Sequence, residues 1–147
     1  MKGNTSYKTY LRSHQLAKQF GTFDPFKIAS GLGYHVRYAD IGKLQGLCTT
    51  SYLGDVYIAL SDKIRELPTR YTVLAHELDH GLDHTDCVAL YTVSNQLQNK
   101  MEYQANAFAC SDLTALYQEQ YGERPDSFKD LQLAYGVPQE FFDLFFN

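Results

Sequence analysis

The residues best suited to chemistry lie within one short run, His76-Glu77-Leu78-Asp79-His80, which has the pattern H-E-x-x-H. In a helix, residues four apart lie on one face, about one turn from each other. The two imidazole rings can therefore converge on a single Zn²⁺ ion. Glu77 lies close enough to hold and deprotonate a water at the metal without being a ligand. The pattern thus predicts a metal site with its own general base.

The spacing of the neighbouring apolar residues supports this interpretation. Five of them share one narrow arc of the helix, which predicts that this arc faces a core: Tyr71, Leu74, Ala75, Leu78 and Leu82. The ionisable residues fall on the other side, together with Val73: His76, Glu77, His80 and His84. Three of the five histidines of the chain therefore lie within nine residues on one face, which favours metal binding over an ordinary solvated surface.

A catalytic zinc site needs a third protein ligand, with its fourth position open to water. Glu102 falls inside the apolar arc of the next predicted helix, where a carboxylate is costly unless it is paired or bound to metal. Asp86 lies six residues after the second histidine, but that spacing requires a glycine at position 83, which is Asp. His84 lies one turn beyond His80, and three successive turns of a straight helix cannot all reach one tetrahedral ion. The residues favour Glu102 and leave Asp86 as the alternative.

Two helices are predicted at the start of the chain. Apolar residues recur at helical spacing over residues 6–20, and Gly21 follows as a stop signal. Asp24 and Pro25 then supply an N-cap and a proline at the first helical position. This second helix is expected to end near Ser30.

Alternating residues predict strands over residues 34–40, 47–52 and 56–60. The turn residues Gly54-Asp55 separate the last two, which predicts a hairpin within a small antiparallel sheet. We expect residues 56–60 to be the exposed edge beside the cleft, where an extended peptide could add as a further strand.

Helices dominate the remainder of the sequence. One is predicted from Pro68 to about His84, and another over residues 94–109. Ser111-Asp112 either continues the second helix or caps a new one that ends at Tyr121. Two short helices are expected around Gly136 and Pro138. The order of elements predicts a single, mainly helical α+β domain over residues 1–147.

Composition narrows the classes of function. The net charge of −4 argues against nonspecific nucleic-acid binding, which needs a basic surface. No apolar run is long enough to cross a membrane, and the first ten residues lack the apolar core of a signal peptide. The three cysteines are odd in number and contain no C-x-x-C pair. We interpret them as reduced thiols of a cytoplasmic protein. The alternative is that Cys87 or Cys110 is a metal ligand.

Two segments together resemble the ImmA/IrrE family of zinc metallopeptidases, which accompany phage and integrative-element repressors in bacteria. The first is Leu74-Ala75-His76-Glu77-Leu78-Asp79-His80 with the trailing Leu82-Asp83-His84. The second is Glu102-Tyr103-Gln104-Ala105-Asn106-Ala107-Phe108-Ala109, which matches the E-x-x-A-N-x-F-A of the family. The likeness covers about residues 24–113, and the combination is much more specific than H-E-x-x-H alone.

The resemblance implies a zincin-like metallopeptidase in which His76, His80 and Glu102 hold Zn²⁺ and Glu77 is the catalytic acid and base. It also implies the substrate, a helix-turn-helix repressor encoded by the same mobile element. Asp79 stands where many members have glycine, and we expect its side chain to point to solvent. Residues 121–147 offer no signature of the family.

Two rival hypotheses belong to other classes of function. One is an anti-repressor that acts by binding, with a structural zinc closed by four protein ligands. His84, Asp86 or Cys87 would then supply the fourth ligand. The other is a globular interaction domain without metal. Metal analysis separates the second rival from the rest, and Glu77→Gln separates the peptidase from the anti-repressor.

Overall fold

A computed structural model describes residues 2–83 and 95–146. These residues form six α-helices, which we label α1 (Lys2–Phe20), α2 (Pro25–Gly31), α3 (Thr69–Asp83), α4 (Asn95–Tyr121), α5 (Phe128–Tyr135) and α6 (Phe142–Phe146). Three strands, β1 (His35–Ala39), β2 (Gly46–Thr50) and β3 (Val56–Ser61), form one sheet. Two short 3-10 helices cover Asp62–Ile64 and Gln139–Phe141. The predicted α+β class is confirmed.

The signals that end α1 and begin α2 act as the sequence predicts. Gly21 follows α1 with a positive φ of 78°, and its N–H donates to the Ala17 carbonyl at 2.7 Å. The Asp24 carboxylate accepts a hydrogen bond from the Phe26 N–H at 2.9 Å and so caps α2, with Pro25 at its first position.

The sheet is mixed, and the prediction of an antiparallel sheet is wrong. The strand order is β1-β3-β2, with β2 antiparallel to β3 and β1 parallel to it. The predicted hairpin of β2 and β3 is therefore present, with Cys48 opposite Ile58. The chain leaves β1, forms β2 at the far edge and returns through the centre. The alternation of apolar and polar residues predicts which face of the sheet each side chain occupies, but it does not predict which strand lies next to it.

The expectation that residues 56–60 form an exposed edge is also wrong. These residues belong to β3, the central strand, and its inward side chains Val56, Ile58 and Leu60 are at most 4% exposed. These side chains are buried because α3 packs against this face of the sheet. The edges of the sheet are β1 and β2.

Helix α3 packs between the sheet and α4. The predicted core arc is confirmed, since Leu74, Ala75 and Leu78 are 0% exposed. Gly81 allows the close approach of helix and sheet, because a Cβ there would lie 2.9 Å from Val56 Cγ1.

Helix α4 runs without a break through Ser111 and Asp112 to Tyr121. The apolar positions explain why no new helix begins there. Phe108 and Ala109 are followed at helical spacing by Leu113 and Leu116, and all four are 0% exposed. Among the described residues, no helix has both the length and the apolarity needed to cross a membrane.

The continuous helix buries one carboxyl group. Asp112 is 0% exposed, and neither of its oxygens has a hydrogen-bond partner among the described residues. Burial, together with the negative charges of Asp24 and Glu119, raises its pKa well above the ordinary value. A carboxyl whose pKa is higher in the folded state destabilises the fold as the pH rises above the pKa of the unfolded chain, about 4.

Asp112→Asn removes this titration. We expect the difference in unfolding free energy between the variant and the parent to grow by about 1–3 kcal/mol as the pH rises from about 4 to about 8. Urea unfolding at each pH measures the gain. Asp143→Asn, which removes an exposed carboxylate, is the control. A gain from Asp112→Asn that stays constant across the pH range would contradict the assignment.

Candidate metal centre

The structure brings the three predicted ligands together at the contact between α3 and α4. His76 and His80 extend from successive turns of α3, and their Nε2 atoms lie 3.1 Å apart. Glu102 of α4 places Oε2 3.0 Å from His76 Nε2 and Oε1 2.8 Å from His80 Nε2. Two imidazole nitrogens and a carboxylate thus face one another across the helix pair.

This arrangement fits a metal ion. In a tetrahedral zinc site with bonds of about 2.0–2.2 Å, neighbouring ligand atoms lie roughly 3.4 Å apart, so the three atoms would need to move apart by only a few tenths of an ångström to hold an ion. The three residues form a group that could hold a metal ion, and it is the only such group of histidine, cysteine or acidic side chains within residues 2–83 and 95–146. The two nitrogens and one oxygen leave room for a further ligand.

The electrostatics of the group keep its carboxylate ionised. Hydrogen bonds from His76 and His80 lower the pKa of Glu102 far below its ordinary value. Burial acts to lower the pKa of His76, but Glu102, Glu77 and Asn106 outweigh it, and the pKa is raised. A carboxylate that is already deprotonated is the form that binds metal.

Glu102 is less buried than its place on the apolar arc of α4 predicts. Its side chain is 46% exposed, whereas Met101 and Ala105 of the same helix are at most 3% exposed. These neighbours occupy the core-facing positions and leave Glu102 at the margin, where it faces α3. It therefore reaches the two histidines from the edge of a cleft.

Glu77 lies beside the group without belonging to it. Its Oε2 is 4.0 Å from His76 Nε2, and its side chain is 12% exposed. Burial raises its pKa above that of an ordinary glutamate, against the opposing effect of His76 and His80. A Cβ on Gly46 of β2 would lie 3.2 Å from Glu77 Oε2. The carboxylate is thus held between the histidines and the edge strand.

A cleft of about 400 Å³ opens beside these residues. One wall is the segment from Lys43 to Gly46, which leads into β2. A second wall is the C-terminal segment from Pro138 to Phe141, and α3 lies between them. No pattern in the sequence predicts the second wall, because Gly136 and Pro138 mark a turn but not the element against which it packs.

No family model matches the chain, and no curated protein shows significant similarity to it.

Asp79 does not point to solvent as expected. It is 0% exposed, and its Oδ1 accepts a hydrogen bond from Arg12 Nη1 at 2.8 Å. Arg12 also pairs with Asp83, which accepts a further hydrogen bond from Gln104 at 2.8 Å. The reason is that the side chain of Arg12 reaches from α1 to α3 and pairs with Asp79 there. Burial raises the pKa of Asp79 to about 6, although Arg12 acts in the other direction.

Arg12→Ala should destabilise the fold by about 3 kcal/mol, because it leaves a buried carboxyl group without its cation. Thermal or urea unfolding measures the loss. Arg65→Ala, which removes an exposed ion pair with Asp62, should cost less than about 1 kcal/mol. If the two variants lost stability equally, the ion pair of Arg12 with the buried Asp79 would not stabilise the fold more than an exposed pair does.

The other candidate ligands fall into two groups. His84, Asp86 and Cys87 lie outside the described residues. Cys110 is buried in α4, does not belong to the group, and has a thiol pKa that burial raises. Cys48 faces α3 from β2, and burial, with the charge of Glu77, raises its thiol pKa to about 12. Neither described thiol is activated as a nucleophile.

Proposed function

We propose that this protein is a zinc-dependent endopeptidase of the ImmA/IrrE type. The observation that carries the proposal is the convergence of His76, His80 and Glu102 within 4.8 Å, with the separate carboxylate of Glu77 beside them. Three ligands with a neighbouring general base are the minimum set for metal-assisted hydrolysis of a peptide bond.

Zinc is the metal that best suits these donors. Imidazole nitrogens and a carboxylate oxygen suit Zn²⁺, and three such protein ligands with a fourth position open are typical of a catalytic zinc site. The three ligands come from two helices that pack closely, so the site is held by the fold. His76 and Glu102 line the cleft, so a substrate that enters the cleft would come next to a metal held by these residues.

In the proposed reaction, the metal ion and Glu77 have different roles. Zinc, when bound, polarises the scissile carbonyl and lowers the pKa of a water. Glu77 takes the proton from the attacking water and passes it to the leaving amine. Its partial burial favours this role, since a raised pKa makes a carboxylate a stronger base near neutral pH.

The edge strand β2 provides a surface for an extended peptide. Its inner neighbour is β3, and its other side carries no strand among the described residues. Backbone N–H and C=O groups on such an edge can pair with a substrate chain as an added strand. Gly46, at the start of β2, lies directly against Glu77, so a bound peptide would pass next to the general base.

The proposed substrate is a helix-turn-helix repressor encoded by the same mobile element, as the sequence resemblance implies. An edge strand accepts only extended backbone. The scissile bond should therefore lie in a linker or in a helix end of the repressor that can unfold locally.

The rival function, an anti-repressor with a structural zinc, needs a fourth protein ligand. The described residues contribute three to the group. A fourth would have to come from outside those residues, where His84, Asp86 and Cys87 lie. The cleft beside the group favours the peptidase.

The direct test mixes the purified, zinc-loaded protein with the repressor encoded by the neighbouring gene. We expect a specific cut that a chelator abolishes and added zinc restores. A repressor that stays intact but is held in a stable complex would favour the anti-repressor instead.

A further inference from the structure

The turn between β2 and β3 holds two apolar side chains out in solvent. Residues 51–55 connect the two strands, and the Gly54 N–H donates to the Ser51 carbonyl at 2.9 Å, which closes a β-turn. The two central positions of this turn are Tyr52 and Leu53. Tyr52 is 102% exposed and Leu53 is 85% exposed, the two highest values among the exposed large hydrophobic residues that the structure describes.

Other residues fix the shape of this turn. The Ser51 N–H donates to the Asp55 carbonyl at 2.8 Å, and the Ser51 hydroxyl accepts from the Asp55 N–H at 3.1 Å. Gly54 has a φ of 93°, a conformation that favours glycine. The turn therefore does not need the side chains at its centre, where glycine, asparagine, aspartate or proline is usual. Tyr52 and Leu53 are available for a contact outside the fold.

The strands beside the turn carry further exposed apolar side chains. Of the twelve large hydrophobic residues that are exposed in the described part of the chain, five lie within residues 44–57: Leu44, Leu47, Tyr52, Leu53 and Tyr57. Leu47 and Tyr57 share the outer face of the sheet, because the alternate residues Cys48 and Ile58 face α3. Exposed apolar residues that concentrate on one short hairpin are typical of an interaction surface, whereas single scattered ones are not.

The hairpin leads away from the candidate metal centre. Strand β2 begins at Gly46, where a Cβ would lie 3.2 Å from Glu77 Oε2, and it ends at Thr50 beside the turn. Because a strand rises about 3.3 Å per residue, the turn lies roughly 15–20 Å from Glu77. A substrate chain that pairs with β2 as an added strand would therefore reach Tyr52 and Leu53 after about five to seven residues.

We infer that Tyr52 and Leu53 form a docking site for the substrate repressor, which receives an apolar side chain about five to seven residues from the scissile bond. The inference rests on the proposed function and adds a contact that selects the substrate away from the site of cutting. The occupant is an extended segment of the repressor rather than a second copy of this chain, because the turn continues the strand edge that passes Glu77. The cleft itself is lined mostly by polar and charged residues, so an apolar anchor outside it would add selectivity.

The test measures by calorimetry how the repressor encoded by the neighbouring gene binds to zinc-loaded protein that carries Glu77→Gln and leaves it uncut. Adding Tyr52→Ser with Leu53→Ser should weaken binding by about tenfold or more. The matched control adds Tyr121→Ser with Leu133→Ser, at an exposed tyrosine and an exposed leucine outside the sheet, and should change Kd by less than about twofold. An equal loss from both pairs, no loss from the first pair, or no binding of the repressor would overturn the docking site.

A second measurement separates this inference from the proposed function, because binding and cutting are followed independently. If the repressor binds through Tyr52 and Leu53 but the parent protein does not cut it, the peptidase is overturned and the docking site stands. If the parent cuts the repressor and Tyr52→Ser with Leu53→Ser alters neither binding nor the rate of cutting, the docking site is overturned and the peptidase stands.

A photo-crosslink locates the contact on a repressor that is cut. With p-benzoylphenylalanine in place of Tyr52 and Gln in place of Glu77, irradiation of the complex followed by mass spectrometry should show attachment within about ten residues of the cut site. Attachment further away, or none, would overturn the docking of an extended segment at this turn.

Discussion

Glu77→Gln should bind zinc as the parent does and lose cleavage by about 10²–10⁴-fold. The substitution keeps the size of the side chain and removes its basicity, and Glu77 is not one of the three converging ligands. The fold should be retained because the amide can occupy the same space between His76 and Gly46. Zinc affinity by chelator competition and repressor cleavage by electrophoresis measure the two effects on one preparation.

Glu140→Gln is the matched control for this variant. Glu140 is an exposed carboxylate that lines the same cleft, and its removal should change cleavage by less than about threefold. If Glu77→Gln still relieved repression in cells while the repressor stayed uncut, the anti-repressor would be the better account. If Glu77→Gln cut as fast as the parent, Glu77 would not be the general base.

Glu102→Ala should weaken zinc binding by about 100-fold or more, because two histidines alone hold zinc poorly. Its carboxylate lies 3.0 Å and 2.8 Å from the two histidine nitrogens, so its loss removes one side of the site. The fold should change little, since the side chain is 46% exposed. Zinc occupancy after gel filtration and the melting temperature of the metal-free protein test both parts of this prediction.

Asp86→Ala is the decisive comparison, because Asp86 is the alternative third ligand suggested by spacing. We expect its zinc occupancy to equal that of the parent. If Asp86→Ala lost the metal and Glu102→Ala kept it, the assignment of Glu102 would be wrong, and the resemblance to ImmA/IrrE peptidases would lose its most specific motif.

The site was more predictable from the sequence than its surroundings were. The period of a helix is enough to bring His76 and His80 together. The cost of a carboxylate on an apolar arc pointed to Glu102, which does lie beside them, although its side chain is 46% exposed. Both arguments are local to one helix. Asp79 was misjudged because its burial depends on Arg12, which lies 67 residues earlier in the chain. No local pattern reports a pairing of that kind.

In the sheet, too, local features could be predicted from the sequence and long-range pairing could not. The faces of β2 and β3 and their hairpin follow from alternating residues and a turn. The parallel pairing of β1 with β3 depends instead on where the chain crosses between them. The second wall of the cleft also depends on long-range packing, since it requires Gly136 to meet Thr69.

Anomalous diffraction from crystals of the zinc-loaded protein, recorded at the zinc absorption edge, tests the central claim most directly. We expect one zinc peak per chain, about 2.0–2.2 Å from His76 Nε2, His80 Nε2 and an oxygen of Glu102, with a non-protein ligand at the fourth position. A peak bound by a fourth protein side chain, a peak away from these three residues, or no peak would contradict the account.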